Sequence, residues 1–235
     1  GVVGLKTHCK CSLVVRQERS GLRTYAHIGT GNYHPHTAQL YTDLGLLTCH
    51  PQITHEALNL FNLQTGRGHL TEFNHLLVAP ETMRPRFIDH IEREIKNAKK
   101  GKPARIWGKM NALEDQRIIN KLYKASNAGV QIDLYIRGFC CLRPGEKGQS
   151  ENITVRSVVG RFLEHSRVFH FADGEADPRK GSWYIGSADW MARNLSGRVE
   201  AAVPVLDSAA REELFHLFEV SQLDRVRAWN LNSDG

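Results

Sequence analysis

Residues 104–136 run ARIWGKMNALEDQRIINKLYKASNAGVQIDLYI, and their reading decides the fold class. Residues 104–109 and 130–136 are short apolar runs carrying β-branched and aromatic side chains, which predicts two strands. Between them, residues 113–127 place Ile118, Ile119, Leu122 and Tyr123 on one face at helical spacing and stop before Gly129. That predicts an amphipathic helix. Strand, helix and strand in succession predict an α/β fold, with largely parallel or mixed sheets flanked by helices.

The alternation continues in both directions. Downstream, residues 153–159, 168–171, 182–185 and 201–206 read as strands and 209–220 as a helix, with Pro204 marking the last strand as a sheet edge. Upstream, residues 82–100 carry Phe87, Ile88, Ile91 and Ile95 between charges, a second amphipathic helix, after a short strand at 76–79. Residues 11–16 and 22–28 read as strands joined by a polar turn at 17–21, residues 29–32 as a loop that Pro35 preserves, and residues 52–65 as a helix. Residues 66–71 are the best linker, which divides the chain into 1–67 and 68–235. The opening residues GVVGL read as a strand or strand entrance, and the missing Met leads to the expectation that the sequence starts inside a domain.

Composition narrows the class. The 235 residues are 41% apolar and 24% charged, which excludes wholesale disorder and fibrous repeats. No run approaches the length of a membrane-spanning helix. A net charge of +6 favours a polyanionic partner. The five cysteines make a poor disulfide framework, and reduced thiols of a cytoplasmic protein are expected. Cys9 and Cys11 beside His8, and Cys49 beside His50, lack the regular spacing of a structural zinc site. Cys140 and Cys141 are expected to pack. Lys99, Lys100, Lys102 and Arg105 are read as a solvated helix end, whereas Lys109 follows a strand, where α/β folds bind ligands, and is a candidate phosphate contact.

The two halves repeat. His8-x-Lys10 recurs 157 residues later as His165-x-Arg167. Twenty-four residues beyond each histidine stand Asn32, in Gly29-Thr30-Gly31-Asn32-Tyr33, and Asp189, in Gly186-Ser187-Ala188-Asp189-Trp190. Eleven further on stand Asp43 and Glu200. Several polar features in one register indicate internal duplication. Two imidazoles facing each other across a domain interface supply a nucleophile and a general acid or base. A downstream carboxylate is expected to bind the far ring nitrogen of each and fix its tautomer. The Lys or Arg two residues on lies on the same side of a strand as its histidine and is suited to hold a phosphate. The other histidines are read as surface or core residues, His27 less firmly because it abuts the 29–32 loop.

Paired H-x-K elements followed by G-S/T-x-N/D loops resemble the phospholipase D superfamily. The superfamily's Asp, five residues after the Lys, is here Val15 and Ala172. A closer resemblance covers nearly the whole chain. VGLKTHCK (3–10), HIGTGNY (27–33), LYTD (40–43), YIRGFC (135–140), RFLEHSR (161–167) and SADWM (187–191) resemble the polyphosphate kinases of the first type. The resemblance implies two phospholipase D-like units, the first incomplete, within a longer protein whose upstream arginines and dimerisation domain lie elsewhere, and a clipped C-terminus. It implies that His8 accepts the phosphoryl group, that His165 is its acid–base partner, that Asp43 orients His8 and that Glu200 orients His165. Tyr41 would line the nucleotide site, and Arg137 and Arg198 would grip phosphates. The implied reaction is reversible transfer of the terminal phosphate of ATP to polyphosphate, with Mg²⁺, by a cytoplasmic homo-oligomer, with peripheral association at the inner face of the membrane as an extension. No nucleic-acid partner is expected. The truncated chain by itself is expected to be compromised in activity. Two rivals stay open: a phosphodiesterase or nuclease of the phospholipase D superfamily, and a non-catalytic polyanion-binding module.

Overall fold

The structure, a computed structural model, describes residues 1–66 and 72–234. The linker expected at 66–71, the proposed boundary between 67 and 68 and His69 fall on or beside residues outside that set. In chain order the elements are β1 (Lys6–Thr7), β2 (Lys10–Glu18), β3 (Gly21–Gly29), α1 (Pro35–Leu40), β4 (Tyr41–Thr42), β5 (Gly45–Thr48), α2 (Pro51–Gln64), β6 (Leu77–Ala79), α3 (Met83–Lys99), β7 (Arg105–Met110), α4 (Gln116–Asn127) and β8 (Gln131–Ile136). There follow β9 (Ile153–Val158), β10 (Leu163–Glu164), β11 (Val168–Phe171), β12 (Ser182–Gly186), α5 (Ala192–Gly197), β13 (Arg198–Pro204), α6 (Ser208–Leu223) and β14 (Ala228–Asn230).

The α/β reading holds, with a mixed sheet between helices. Among the described residues the main sheet has the order β1-β13-β12-β11-β7-β8-β9-β14, with β6 also on β13. The stretch that opened the sequence analysis is its parallel centre: β7 and β8 pair in parallel, Ile106 opposite Ile132 and Met110 opposite Ile136. Strand alternation sorts two cores. Ile106, Ile132, Leu134, Phe169, Phe171 and Tyr184 face Phe87 and Ile91 of α3 and Ile118 and Leu122 of α4. Trp107, Val168, Trp183, Ile185 and Val203 face Ile53 and Leu60 of α2 and Leu214 and Phe218 of α6. Period two in the strands and 3.6 in the helices produce this layering. Among the described residues no helix is long and apolar enough to cross a membrane.

Some boundaries differ for local reasons. Residues 1–5 are not a strand: Leu5 N–H bonds to Val2 O at 3.1 Å and Gly4 has φ +79°, so the chain turns before β1. The helix expected from Leu113 starts at Gln116, because the Asp115 side chain caps it by accepting from Ile118 N–H at 3.1 Å. Pro35 opens α1 at its first turn, where its missing N–H costs nothing. Pro204 does not mark an edge: β13 is flanked by β6 on one side and, on the other, by β1 at its start and β12 further along. Successive N–H groups of a strand point opposite ways, and Val205 N–H points to Trp183 O on β12. The Pro204 nitrogen therefore faces the side where β6 pairing has ended at Ala202. Strand β14 was not anticipated; it pairs β9 through Trp229 and Ser157.

The duplication is visible in the ladders. Val168 opposes Ile185 and Cys11 opposes Ile28. Ile185 opposes Val203 and Ile28 opposes Leu46. Each pair of the first half is the second-half pair shifted by the repeat interval. Thus β2-β3-β5 is a copy of β11-β12-β13.

His170, fully buried against Trp107 and Trp183, has neither ring nitrogen paired among the described residues, and burial pushes it down to about 3. The unfolded chain takes up a proton near pH 6.5 that the folded chain refuses, so this group removes stability as the pH falls below that value. Between pH 7.5 and pH 5, His170→Leu is expected to lose about 2 kcal/mol less unfolding free energy than the parent, read by urea denaturation. Equal losses would contradict this account.

Candidate active site

Two parallel two-residue ladders build the site. Strand β1 lies beside the start of β13, with Lys6 opposite Arg198 and Thr7 opposite Val199. Strand β4 lies beside β10, with Leu163 opposite Tyr41 and Glu164 opposite Thr42. These are again the same contact shifted by the repeat interval. Each ladder delivers the next residue of one strand beside the next residue of the other. His8 N–H bonds to Val199 O at 2.9 Å, and His165 N–H to Thr42 O at 3.2 Å.

The consequence corrects the expected carboxylate pairing. His8 Nδ1 bonds to Glu200 Oε2 at 2.8 Å, and His165 Nδ1 to Asp43 Oδ1 at 2.8 Å. Asp43 therefore serves His165 and Glu200 serves His8, the reverse of the assignment within each repeat. The physical reason is the parallel ladder: it places each histidine next to the other copy's carboxylate, while its own lies a full loop away.

Carboxylates accept only, so Nδ1 carries the proton in both rings, and Nε2 keeps a lone pair. Each lone pair faces the cation two residues on. Lys10 Nζ stands 2.9 Å from His8 Nε2, and Arg167 NH1 stands 3.0 Å from His165 Nε2. A hydroxyl also reaches each carboxylate, while Glu200 Oε1 has no hydrogen-bond partner among the described residues. The Ser187 hydroxyl donates to Glu200, and that of Thr30 donates to Asp43 at 2.6 Å. Ser187 and Thr30 hold equivalent places in the two loops, and their backbone N–H groups bond to Ala201 O at 3.0 Å and Leu44 O at 2.9 Å. The loops must be close-fitting: a Cβ at Gly31 would collide with the Asp43 carboxylate.

Electrostatics follow from burial and charge. Burial alone would raise the Asp43 carboxyl; bonds from His165 and Thr30 outweigh it and hold the group below the usual carboxylate range. Burial lowers His165, opposed by Asp43, so this imidazole is neutral at physiological pH. Burial pushes the Lys10 ammonium down to about 8.

The remaining candidates distribute unevenly. Tyr41 stacks near His165, ring centroids 4.9 Å apart. Arg198 NH1 lies 4.0 Å from Glu200 Oε1. Arg137 NH1 is enclosed and without a partner among the described residues, and burial lowers this guanidinium, with Arg167 adding to the effect. Lys109 is buried, donating to Ser166 Oγ at 2.8 Å and pairing with Glu164 Oε2 at 3.0 Å. Arg137, Lys109 and Glu164 line one end of a 630 Å³ cavity walled by Leu217, Val220 and Leu223 of α6. Asn32 is not drawn into the cluster: its side chain is exposed and has no hydrogen bond among the described residues. Its counterpart Asp189 is buried, binding Arg167 Nε at 3.1 Å and Asn111 N–H at 2.7 Å. Lys99, Lys100 and Lys102 are exposed at the end of α3, as expected of a solvated face.

Sequence reading takes Thr30 and Ser187 only as members of a repeated, phosphate-binding loop, and it assigns no role to Glu164 or Ser166. Thr30 and Ser187 were discoverable, since both occupy one position of the repeated loop. Glu164 was not, because its partner Lys109 comes from a strand distant in sequence.

The carboxylates here are all committed to imidazoles or protein cations, and no three metal-ligating side chains converge among the described residues. The residues present do not form a Mg²⁺ site of their own.

Comparison with known proteins places the chain in a family. The family description "Polyphosphate kinase C-terminal domain 1" matches residues 1–69, and "Polyphosphate kinase C-terminal domain 2" matches residues 76–235. The chain is 54% identical over its whole length to a polyphosphate kinase of Synechocystis sp. and 50% identical to one of Streptomyces coelicolor, covering 32% and 31% of those proteins. It thus spans about a third of the length of the curated relatives it matches. Against the crystal structure of polyphosphate kinase from Porphyromonas gingivalis the TM-score is 0.91 at 41% identity, over 99% of this chain and 35% of that one. Yeast tyrosyl-DNA phosphodiesterase shares the fold alone, with a TM-score of 0.50 at 6% identity, over 83% and 68% of the two chains. On sequence over its full length and on structure, the chain belongs to the polyphosphate kinase family.

Proposed function

We propose that the protein carrying this chain transfers the terminal phosphoryl group of ATP to inorganic polyphosphate, reversibly, through a phosphohistidine at His8. The observation that carries the reading is the His8 environment: Nδ1–H on a buried carboxylate, and an Nε2 lone pair that accepts from the Lys10 ammonium, the group placed to turn to an incoming phosphate. Such a ring is a neutral nucleophile held in the correct tautomer.

In the forward step the Nε2 lone pair attacks the γ-phosphorus. The N–P bond forms, the bond from phosphorus to the bridging oxygen breaks, and its electron pair leaves with ADP. Charge grows positive on the ring, and Glu200 stabilises it through Nδ1–H. Lys10, Arg198 and Arg137 offset charge on the phosphoryl oxygens. His165, neutral and braced by Asp43, can take a proton at Nε2 from an attacking oxygen and, once protonated, return it to a leaving oxygen. In the second step a terminal polyphosphate oxygen attacks the phosphorus and releases Nε2. The phosphoramidate bond is energetic enough to make both directions accessible. Mg²⁺ enters this proposal bound to the nucleotide's phosphates, as part of the substrate. The pairing of two half-sites also accounts for a chain division near residue 67, each unit supplying one histidine. A cytoplasmic location, with peripheral association at the inner membrane face, and a homo-oligomeric assembly belong to the same reading; fractionation and light scattering test them.

Labelling with ATP carrying a radioactive terminal phosphate tests the function. Acid-labile, base-stable label that vanishes in His8→Ala is the expected result; label that survives the substitution sinks the proposal. The exchanged carboxylates predict a further difference. Glu200→Gln is expected to slow label formation about 10²-fold or more, while Asp43→Asn leaves His8 labelling closer to the parent and slows onward transfer. Lys10 loses its charge as the pH rises through about 8, chiefly because it is buried, with Glu200 and Asp43 opposing and Arg167 adding to the shift. The kcat/KM for ATP is therefore expected to fall across that range, and Lys10→Arg, charged throughout, to remove the decline.

A further inference from the structure

The halves of the site are copies, so each position can be compared with its counterpart. Arg167 corresponds to Lys10, Asp189 to Asn32 and Glu164 to Thr7. At the first pair both halves carry a cation. At the other two, the second half has a carboxylate and the first a neutral side chain.

Both extra carboxylates are engaged. Asp189 binds Arg167 at Nε and NH2, at 3.1 and 3.3 Å, and Glu164 binds Lys109 at 3.0 Å. Arg167 is also tied by NH1 to the His165 carbonyl at 2.7 Å. Around His165, the cations Arg167, Lys109 and Arg137 thus meet the carboxylates Asp189, Glu164 and Asp43. Among the described residues, the carboxylate beside His8, Lys10 and Arg198 is Glu200, while Asp43 and Arg167 act on Lys10 from the other half of the site. The one side-chain bond of Lys10 among the described residues is to His8 Nε2, which leaves two of its three donors for a ligand. In a site shielded from water, an incoming phosphoryl group is held where cations exceed carboxylates.

We propose that Asp189 and Glu164 are positioning residues that decide which imidazole takes the phosphoryl group: by neutralising Arg167 and Lys109 they close His165 to the anion and reserve it for His8. This rests on the phosphohistidine reading above. With both carboxylates removed, His165 keeps what His8 has: an Nδ1–H on a carboxylate and a cation at Nε2. Its Nε2 forms the N–P bond, the bond to the bridging oxygen breaks with its electron pair leaving on ADP, and the Nδ1 proton stays shared with Asp43.

The test uses the intact protein carrying this sequence, with radiolabelled ATP and peptide mapping. His8→Ala is expected to be unlabelled. His8→Ala combined with Asp189→Asn and Glu164→Thr is expected to gain acid-labile label on His165, at least tenfold above His8→Ala. Absence of that label, in a variant that unfolds cooperatively at the same denaturant concentration as His8→Ala, overturns the proposal. Should the combined variant not fold, Asp189→Asn and Glu164→Gln are introduced singly into His8→Ala; acid-labile label on His165 is expected in the single variants, and its absence from every one that unfolds at the same denaturant concentration as His8→Ala overturns the proposal. A parent without label overturns both this inference and the phosphohistidine reading, whereas a labelled parent whose label never moves overturns this inference alone.

Discussion

Each imidazole of the pair leans on a carboxylate that belongs to the other copy of the repeat, and the rest of the site depends on that exchange. The bonds His8–Glu200 and His165–Asp43 are both 2.8 Å long and each spans more than a hundred residues of chain. Glu200 is wholly enclosed. A buried carboxylate costs several kcal/mol unless charge and hydrogen bonds compensate it. Its compensation comes from His8, from Ser187 and, at longer range, from Arg198. One of these three, His8, lies outside the repeat that holds Glu200, and Asp43 likewise takes its His165 bond from the other copy, so neither copy can satisfy its own acid.

Docking of the two short parallel ladders is what makes the exchange possible. Strand β1 continues the main sheet beside β13, so the segment before His8 is held by the backbone of the second half. Strand β4 does the same for the segment before His165. A two-residue ladder is weak alone. It is kept in register here because the same residues lead into long strands, β2 and β11, whose own pairing is extensive. The imidazoles project from the junctions of sheet strands, and the adjoining loops contribute the hydroxyls of Thr30 and Ser187 and the carboxylates of Asp43 and Asp189.

Symmetry of geometry coexists with asymmetry of charge. The tautomers, the ladder contacts and the hydroxyl supports match in the two halves. The cations do not behave alike, because Asp189 and Glu164 occupy positions where the first half has Asn32 and Thr7. A duplicated site thereby acquires two distinct ends, through changes at residues beside the histidines and none at the histidines themselves.

The sequence by itself determined the elements and the repeat. Strands such as 130–136 and helices such as 82–100 are legible because burial of one face is a local, periodic property. The His-x-Lys/Arg pair, the Gly-Thr/Ser loop and the downstream carboxylate are legible because duplication keeps them in one register. The sheet position of Pro204, the strand at 228–230 and the pairing of Lys109 with Glu164 were not legible, since each is a contact between segments far apart in the chain. The carboxylate partners were misassigned for the same reason. Spacing along the chain cannot distinguish a carboxylate that returns to its own histidine from one that crosses to the other copy. Only the parallel register of β1 on β13 and β4 on β10 decides that, and register is a property of two strands meeting in space.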